Sequence, residues 1–287
     1  MHSQNTDSHA IDPKRKNTCT VLKPLPRGYI SIKISEDDHM KKSTEILSSQ
    51  YPEINISGYT SVDGTVEFYS RINSLLNESM SVLDFGAGRA AWHEDDGSHY
   101  RKKIRTIKGK VQKVVGCDVD EAILNNNSVD EKVLIKIPEP LPFENESFDV
   151  IISDYTFEHV SNPNEIAREF HRILKKGGWI CARTPNKYSY VSILTRVIKN
   201  SHHAKLLKKV QPERKEIDIF PTTFELNTLN DIFKYFPHDI FDDFTYRYEA
   251  EPAYYFNNKF LFSIMLTLNK YLPSIMKSNL FIFLRKK

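Results

Sequence analysis

Short apolar runs alternate with amphipathic segments from about residue 58 onwards, and this alternation constrains the fold more than any other feature of the chain. A helix is predicted at 163–174, where the apolar residues share one face and a Gly-Gly pair follows, as at the end of a crossover helix. The repetition predicts an α/β fold, a doubly wound, mostly parallel seven-stranded sheet with helices on both faces. The predicted strands are 81–85, 113–117, 133–137, 148–153, 179–183, 242–248 and 280–284.

The chain is predicted to divide near residue 57. Residues 1–57 are rich in Ser, Asn, Lys and Pro and are expected to form a partly irregular extension, in which 29–34 could add an edge strand. Residues 58–287 are expected to form one domain. Within it we predict a substrate-side insertion at about 186–225, with candidate helices at 188–197 and 204–210, and a C-terminal helix–strand element at about 257–287.

Composition excludes some functional classes and leaves others open. Lys and Arg number 40 against 37 acidic residues, and a net charge of +3 is too small to predict nucleic-acid binding. Cys19, Cys117 and Cys181 are widely separated without a CxxC pair, so no metal site is predicted and a reducing compartment is expected. The polar amino-terminal stretch lacks a secretory signal and no apolar run is long enough to span a bilayer, so we expect a cytoplasmic protein.

Two strand ends carry residues that suit a nucleotide-like ligand. The strand 81–85 runs through Asp84 into a turn with Gly86 and Gly88, where the backbone can bend sharply and a ligand can approach closely. The next strand ends near Asp118, whose carboxylate could accept hydrogen bonds from the two hydroxyls of a ribose. Each motif alone also occurs in dinucleotide-binding proteins, and each occurs in many other proteins by chance.

Further motifs follow in a fixed order and give the chain a family resemblance. They are LPF at 141–143, SFDVIISD at 147–154, EHV at 158–160 and RILKKGG at 172–178. This series resembles the class I S-adenosylmethionine-dependent methyltransferases, specifically the methyltransferase type 11 branch, over about residues 58–186. The joint order of the motifs is far more specific than any one of them.

The resemblance implies S-adenosyl-L-methionine as the cofactor and assigns residues to it. Gly86 and Gly88 would flank its methionine portion, and Asp84 would lie near its amino group. The residues implied to bind the cofactor are Asp84, Gly86, Ala87, Gly88, Asp118, Val119, Asp154 and Tyr155.

The other implied roles are distributed over the second and fourth strands. Asp118 would hold the ribose hydroxyls, with Val119 against the adenine. Asp154 and Tyr155 would lie beside the sulfonium and the incoming substrate.

The chain departs from the family pattern in two places. The family often has an acidic residue four positions before the LPF leucine, where it contacts the adenine amino group, whereas this chain has Ile137. About 34 residues separate Asp84 from Asp118, against roughly 20 in a dinucleotide fold. Residues 92–110 must therefore hold an insertion, which we predict to be a loop at 93–97 followed by a basic helix.

A general base is optional for methyl transfer, because the cofactor already carries an activated group. His159 is the best candidate for such a catalytic base, since it follows the fourth strand by about one helical turn. The same residue could instead cap or pack the following helix. His93 is a second candidate, with an exposed loop histidine as the alternative.

The acceptor is expected to be a small molecule, a glycan or a lipid-linked glycan, and no nucleic acid. The basic residues of 101–113 could attract an anionic acceptor or a membrane surface, or could form a solvated helix face. The aromatic-rich stretch 254–262 could contact a membrane peripherally, or belong to a lid helix or a subunit contact. Oligomeric state is left open.

Two rival functions share part of this pattern. A NAD(P)-dependent oxidoreductase of the Rossmann type also has a strand, a GxG turn and a later Asp. A non-catalytic cofactor-binding module of the same fold would also retain the loop. The first is disfavoured by the LPF-to-GG series, and the second by an intact glycine turn.

Overall fold

An eight-stranded sheet forms the centre of the structure, a computed structural model that describes residues 36–197, 221–252, 255 and 257–287. The strand order is β3-β2-β1-β4-β5-β8-β6, and β7 also pairs with β8. Strands β1 to β5 are parallel, whereas β8 is antiparallel to β5, β6 and β7. The strands are β1 Ser81–Phe85, β2 Lys113–Asp118, β3 Glu131–Leu134, β4 Phe148–Asp154, β5 Leu174–Pro185, β6 Phe241–Asp243, β7 Tyr246–Tyr248 and β8 Asn279–Lys286.

Helices precede and connect these strands. Three single 3₁₀ turns, at Glu121–Asn125, Phe157–His159 and Ser274–Met276, complete the described connections. The helices are α1 Glu36–Gln50, α2 Ile54–Ser57, α3 Gly64–Leu75, α4 Trp92–Asp95, α5 His99–Arg105, α6 Pro163–Ile173, α7 Tyr190–Val197, α8 Leu229–Tyr235 and α9 Lys259–Tyr271.

Both faces of the sheet are covered because side chains alternate along each buried strand. On β4, Ile151 belongs to the core on one face, together with Phe170 of α6. Val150 and Ile152 belong to the core on the other face, together with Phe68 of α3. The predicted α/β fold with helices on both faces is therefore confirmed.

The strand count differs from the predicted seven. The predicted strand 242–248 is divided in the structure into β6 and β7, which pair with opposite ends of β8. Between them the Thr245 backbone N–H donates to the Asp243 carboxylate at 2.7 Å, and the Phe244 N–H donates to the Phe283 carbonyl at 2.9 Å. A side-chain acceptor thus replaces a ladder partner and interrupts the strand.

The predicted insertion after β1 folds as two short helices. The expectation of a loop at 93–97 is wrong for its first residues, because α4 covers Trp92–Asp95, whereas the expected basic helix is confirmed as α5. Arg101 fixes α5 to its surroundings, since its guanidinium donates to Asp63 at 2.9 Å and to Asp96 at 2.7 Å.

The remaining predicted elements are found with shifted ends or lie outside the described residues. The third strand was expected at 133–137 and occupies Glu131–Leu134. The candidate helix at 204–210 and the candidate edge strand at 29–34 lie outside the described residues. Within the part of the chain that is described, no helix has the length and apolar character of a membrane span.

Candidate functional site

A cavity of about 600 Å³ opens at the carboxyl ends of β1, β2 and β4. Parallel strands end at the same edge of a sheet, which is where open α/β folds bind ligands. The cavity brings together most of the residues that were predicted to bind the cofactor or to act as a base. They are Gly86, Gly88, Asp118, Val119, Tyr155 and His159.

The turn after β1 has a backbone that requires glycine. Gly86 has φ +78°, and a methyl group added there would overlap the Thr156 side chain. The backbone N–H groups of Gly86 and Ala87 donate to the Cys117 carbonyl at 2.8 and 3.2 Å, so the turn is held against the end of β2. Ala87 is not among the residues that line the cavity.

Gly88 presents bare backbone to the cavity. Its φ is +48°, and an added Cβ would meet only the Asp118 carboxylate, at 4.0 Å. The space that a side chain would occupy at Gly88 is therefore open. A ligand can approach the main chain closely there, as the glycine pattern predicted.

Asp118 connects the two strand ends. One carboxylate oxygen accepts from the Gly88 backbone N–H at 2.8 Å, and the other accepts from the Asp120 N–H at 2.9 Å. Each oxygen has a second lone pair with which it can accept a ligand hydroxyl. Next to it the exposed side chains of Val119 and Ile137 give the cavity an apolar wall.

Asp84 and Asp154 are not among the residues that line the cavity. Burial, and then the charge of Asp154, raise the pKa of Asp84 to about 7. Burial also opposes ionisation of Asp154, but the guanidinium of Arg183 holds the pKa of that carboxyl below its usual range. The two carboxylates therefore differ in charge near neutral pH, and Asp84 is the one in need of a cation.

Arg183 of β5 is a residue of this region that sequence reasoning missed. Its Nε and Nη2 donate to the two oxygens of Asp154 at 2.7 and 2.8 Å. Its guanidinium lies over the rings of Phe68 and Tyr155, 5.2 and 4.6 Å from their centroids. An arginine directly after the apolar run 179–182 of β5 is the signal that could have drawn attention to it, because a charge next to buried residues needs a partner.

Two more side chains approach Asp154 from α3 and α5. The Tyr69 hydroxyl donates to Asp154 at 3.2 Å, and an Arg105 nitrogen lies 3.6 Å from the same carboxylate. Arg105 also lies over the ring of Trp92, 4.7 Å from its centroid. The insertion after β1 thus places a second cation near Asp154.

Tyr155 has a backbone conformation that non-glycine residues rarely adopt. Its φ is +57°, and its N–H donates to the Arg183 carbonyl at 2.8 Å. Its hydroxyl donates to the Asn279 side chain at 3.0 Å. Such strain of about 1–3 kcal/mol is commonly found at ligand sites, where surrounding contacts maintain it.

His159 lies on the 3₁₀ turn Phe157–His159 and lines the cavity. Its Nδ1 lies 2.7 Å from the Pro221 carbonyl oxygen. Because a carbonyl can only accept, Nδ1 carries the proton, and the neutral ring has its basic lone pair on Nε2. His93 is exposed on α4 and is not among the lining residues.

A family model and a curated relative each match part of the chain. Residues 83–182 match the type 11 model of the family described as "Methyltransferase domain". A malonyl-[acyl-carrier protein] O-methyltransferase 1 of Coxiella burnetii (strain RSA 493 / Nine Mile phase I) is 26% identical over 149 residues, which are 52% of this chain and 48% of that protein. The chain therefore aligns with about half the length of this curated relative.

Solved structures with similar folds include two described as SAM dependent methyltransferases. One, from Archaeoglobus fulgidus, is 16% identical, with 85% of this chain and 99% of that chain covered and a TM-score of 0.45. The other, from Aquifex aeolicus, is 14% identical, with 84% and 97% covered and a TM-score of 0.43.

Proposed function

We propose that this protein is a methyltransferase that binds S-adenosyl-L-methionine in the cavity at the ends of β1, β2 and β4. The premise is that the chain carries a class I methyltransferase domain of the type 11 branch, whose cofactor is S-adenosyl-L-methionine. The observation that carries the proposal is the 2.8 Å hydrogen bond from Gly88 to Asp118, which joins the glycine turn and the ribose-binding candidate in one cavity. The cofactor supplies a methyl group that a positively charged sulfur already activates.

The residues of the cavity fit an adenosyl amino acid. The bare backbone at Gly88 leaves room for a ligand, and the oxygens of Asp118 can accept two adjacent hydroxyls. The apolar wall of Val119 and Ile137 suits the flat face of a purine. An apolar residue in place of the family's acid leaves the recognition of the purine amino group to other atoms.

Asp84 is proposed to bind the amino group of the cofactor. Its raised pKa follows from burial beside the ionised Asp154, and a ligand ammonium group would compensate the charge that burial disfavours. Asp154 is proposed to act on the same part of the cofactor through its negative charge, because Arg183 keeps its carboxyl ionised. Ala87 is proposed to contribute through its place in the turn.

His159 is proposed as the general base toward an acceptor hydroxyl. The Pro221 carbonyl fixes the tautomer that has its lone pair on Nε2, and the ring lines the cavity. The acceptor proton would move to Nε2 as the new bond to the methyl group forms. Tyr155, held by Arg183 and Asn279, is proposed to position the acceptor.

The acceptor is proposed to be a neutral, hydroxylated small molecule or glycan. Polar side chains without charge line the part of the cavity near His159, and hydroxyl and amide groups recognise hydroxyls through reciprocal hydrogen bonds. These side chains are Thr156, Ser161, Asn162 and Thr223. The O-methyltransferase name of the Coxiella burnetii relative is consistent with an oxygen acceptor.

We propose that residues 58–287 form the methyltransferase domain, with 1–57 as an extension and the insertion 186–225 on the acceptor side. A cytoplasmic location is proposed on the chemistry of the cysteines. Cys117 and Cys181 are buried free thiols within the sheet, which a reducing compartment preserves.

Cofactor binding tests the proposal directly. S-adenosylhomocysteine at about 100-fold excess over its dissociation constant should raise the free energy of unfolding by about 2.7 kcal/mol, whereas NADH should not. Asp118→Asn should remove the effect, and Glu131→Gln, on the neighbouring edge strand, should retain it. Stabilisation by NADH alone would favour the oxidoreductase.

Methyl transfer is tested separately. The protein is incubated with labelled S-adenosylmethionine and an extract of the source cells, and label is followed into sugar, lipid, protein and RNA fractions. Transfer to a sugar-containing fraction, with loss in His159→Gln, is expected. Tight cofactor binding without transfer to any fraction would instead identify a non-catalytic module.

A further inference from the structure

Large apolar side chains are exposed along one face of α9 and the turn that follows it. Spacings of three and four residues place such side chains on one side of a helix. The stripe consists of Phe260, Ile264, Leu268, Tyr271 and Ile275, with relative exposures of 76%, 40%, 59%, 75% and 51%. A continuous exposed stripe of this kind indicates a surface that contacts an apolar partner.

The other face of α9 packs onto the protein. Phe262 is fully buried, and its ring packs edge-to-face against that of Tyr255 with centroids 4.7 Å apart. The Asn258 side chain caps the helix by accepting from the N–H groups of Phe260 and Leu261, both at 3.0 Å. The helix is therefore held in place while its apolar stripe faces outward.

The charged side chains of residues 252–287 are all positive, and Glu249, from outside this stretch, accepts from the Asn269 side chain at 3.2 Å and from the Ser278 N–H at 2.6 Å. The sequence contains no Asp or Glu from residue 252 to residue 287, and Lys259, Lys270 and Lys277 accompany the stripe. Lys259 and Lys270 are eleven residues apart, about three helical turns, so both lie along the same edge of it. Long lysine side chains in this position can reach toward anionic groups while the apolar side chains enter a less polar phase.

Charge complementarity distinguishes between partners. A second copy of the chain packed antiparallel on this stripe, about a two-fold axis perpendicular to the helices, would bring its own lysines close to Lys259 and Lys270, with no acid of 252–287 to balance them. An anionic lipid surface offers both an apolar interior and negative headgroups. A helix of 13 residues is about 20 Å long, too short to cross a hydrocarbon core of about 30 Å, and would lie along the surface.

We propose that α9 and the turn after it bind the protein peripherally to the surface of a membrane that contains anionic lipids. The proposal does not depend on methyl transfer. The surface would lie near the cavity, because the side chain of Asn186, just after β5, donates to the carbonyls of Ile275 and Lys277 at 2.8 and 2.7 Å. In the same region Asn279 accepts the hydrogen bond from Tyr155, which lines the cavity.

Vesicle flotation tests the proposal with the full chain. The protein should float with phosphatidylcholine vesicles that contain phosphatidylserine, and added salt should weaken this binding. Phe260→Ser/Leu268→Ser should weaken it at least about tenfold, because two large side chains no longer enter the lipid. Ile56→Ser, which removes a 90% exposed side chain on α2, is the matched control and should bind as the unchanged protein does.

A charge variant separates the electrostatic contribution from the apolar one. Lys259→Gln/Lys270→Gln should lose most of the preference for phosphatidylserine over pure phosphatidylcholine vesicles. All variants alter exposed positions and should keep the unfolding temperature, and the lysine pair still tests the proposal if the serine pair does not fold.

Other outcomes would overturn the proposal. Failure of the unchanged protein to float with either kind of vesicle would do so, as would equal binding of the serine pair. A dimer that forms without vesicles and dissociates in the serine pair would identify a second copy as the partner.

Discussion

Gly86 is the position at which one added methyl group is expected to damage the cavity most. Gly86→Ala places a side chain in a left-handed conformation and against Thr156, so the free energy of unfolding should fall by about 1–3 kcal/mol or more and cofactor binding should be lost. Gly109→Ala is the matched control, since φ is +82° there and an added Cβ meets nothing within 4 Å. Chemical denaturation and calorimetric titration measure both effects.

The difference between these two variants isolates the overlap from the backbone strain. If Gly86→Ala and Gly109→Ala lose the same stability and both bind the cofactor, close packing against Thr156 has no role in the turn.

The pKa of Asp84 predicts how cofactor affinity depends on pH. A ligand cation favours the carboxylate, so binding should weaken as pH falls below about 7, approaching tenfold per pH unit, and should be flat above it. Asp84→Asn should bind weakly and without this dependence. Titration calorimetry from pH 5 to 8 measures it, and a flat profile in the unchanged protein would contradict the assignment.

The same group predicts a stability effect of opposite direction. In the unfolded chain Asp84 titrates near 3.9, and its pKa of about 7 in the folded protein is higher, so the folded state binds more protons between these values. The stability contribution of Asp84 is therefore full below about pH 4 and lost as pH rises through 7. The difference in free energy of unfolding between Asp84→Asn and the unchanged protein should therefore favour the variant more at pH 8 than at pH 5, as measured by urea unfolding.

The residues that line the cavity could be predicted from the sequence more readily than the side chains that pair with site residues. The glycine turn and Asp118 are signalled by local sequence, because backbone geometry and a strand end restrict the residue types that fit. The pairing of Asp154 with Arg183 is invisible to such reading, since the two residues are far apart in sequence and meet only when β4 and β5 pair.

At the scale of elements, this pair fastens β4 to β5. Arg183→Met should lower the free energy of unfolding by about 3–5 kcal/mol, because the buried Asp154 carboxylate loses its closest cation and keeps only the more distant Arg105 at 3.6 Å. Glu67→Gln, which breaks the partly exposed pair with Arg71, should cost at most about 0.5 kcal/mol. Denaturant unfolding compares the two.

A double variant tests the cause of that loss. Asp154→Asn combined with Arg183→Met should recover part of the stability, because no buried charge is then unpaired. Additive losses would show that packing of the arginine, and not its charge, is what matters.

Elements with a buried face were predicted best. Strands β1, β2, β4, β5 and β8 stand out as apolar runs because both of their faces are covered. The edge strand β3 begins with Glu131 and Lys132, whose polarity conceals it, so the prediction started too late. The division of 242–248 depends on a hydrogen bond from Thr245 to Asp243, which a hydrophobic pattern does not reveal.

At the scale of the whole molecule, β8 joins the parallel strands β1 to β5 to the short strands β6 and β7. Leu284 is fully buried and pairs with Ile180 on one side and Asp243 on the other. Leu284→Ala should reduce the free energy of unfolding by about 2–5 kcal/mol. Leu134→Ala, the same change at a 40% exposed position of β3, should cost far less, and a comparable loss at both sites would contradict this account.

The position of β8 also bears on how the protein is made. The antiparallel register pairs residue 185 with 279 and residue 179 with 285. Strand β5 is therefore synthesised long before its partner β8. Until then the nascent chain presents an unpaired hydrogen-bonding edge on β5, whose apolar residues 180–182 are fully buried in the finished protein, and such an edge is prone to pair with other chains. Expression at high levels should therefore depend on chaperones that shield this edge during synthesis, even though the finished sheet buries it.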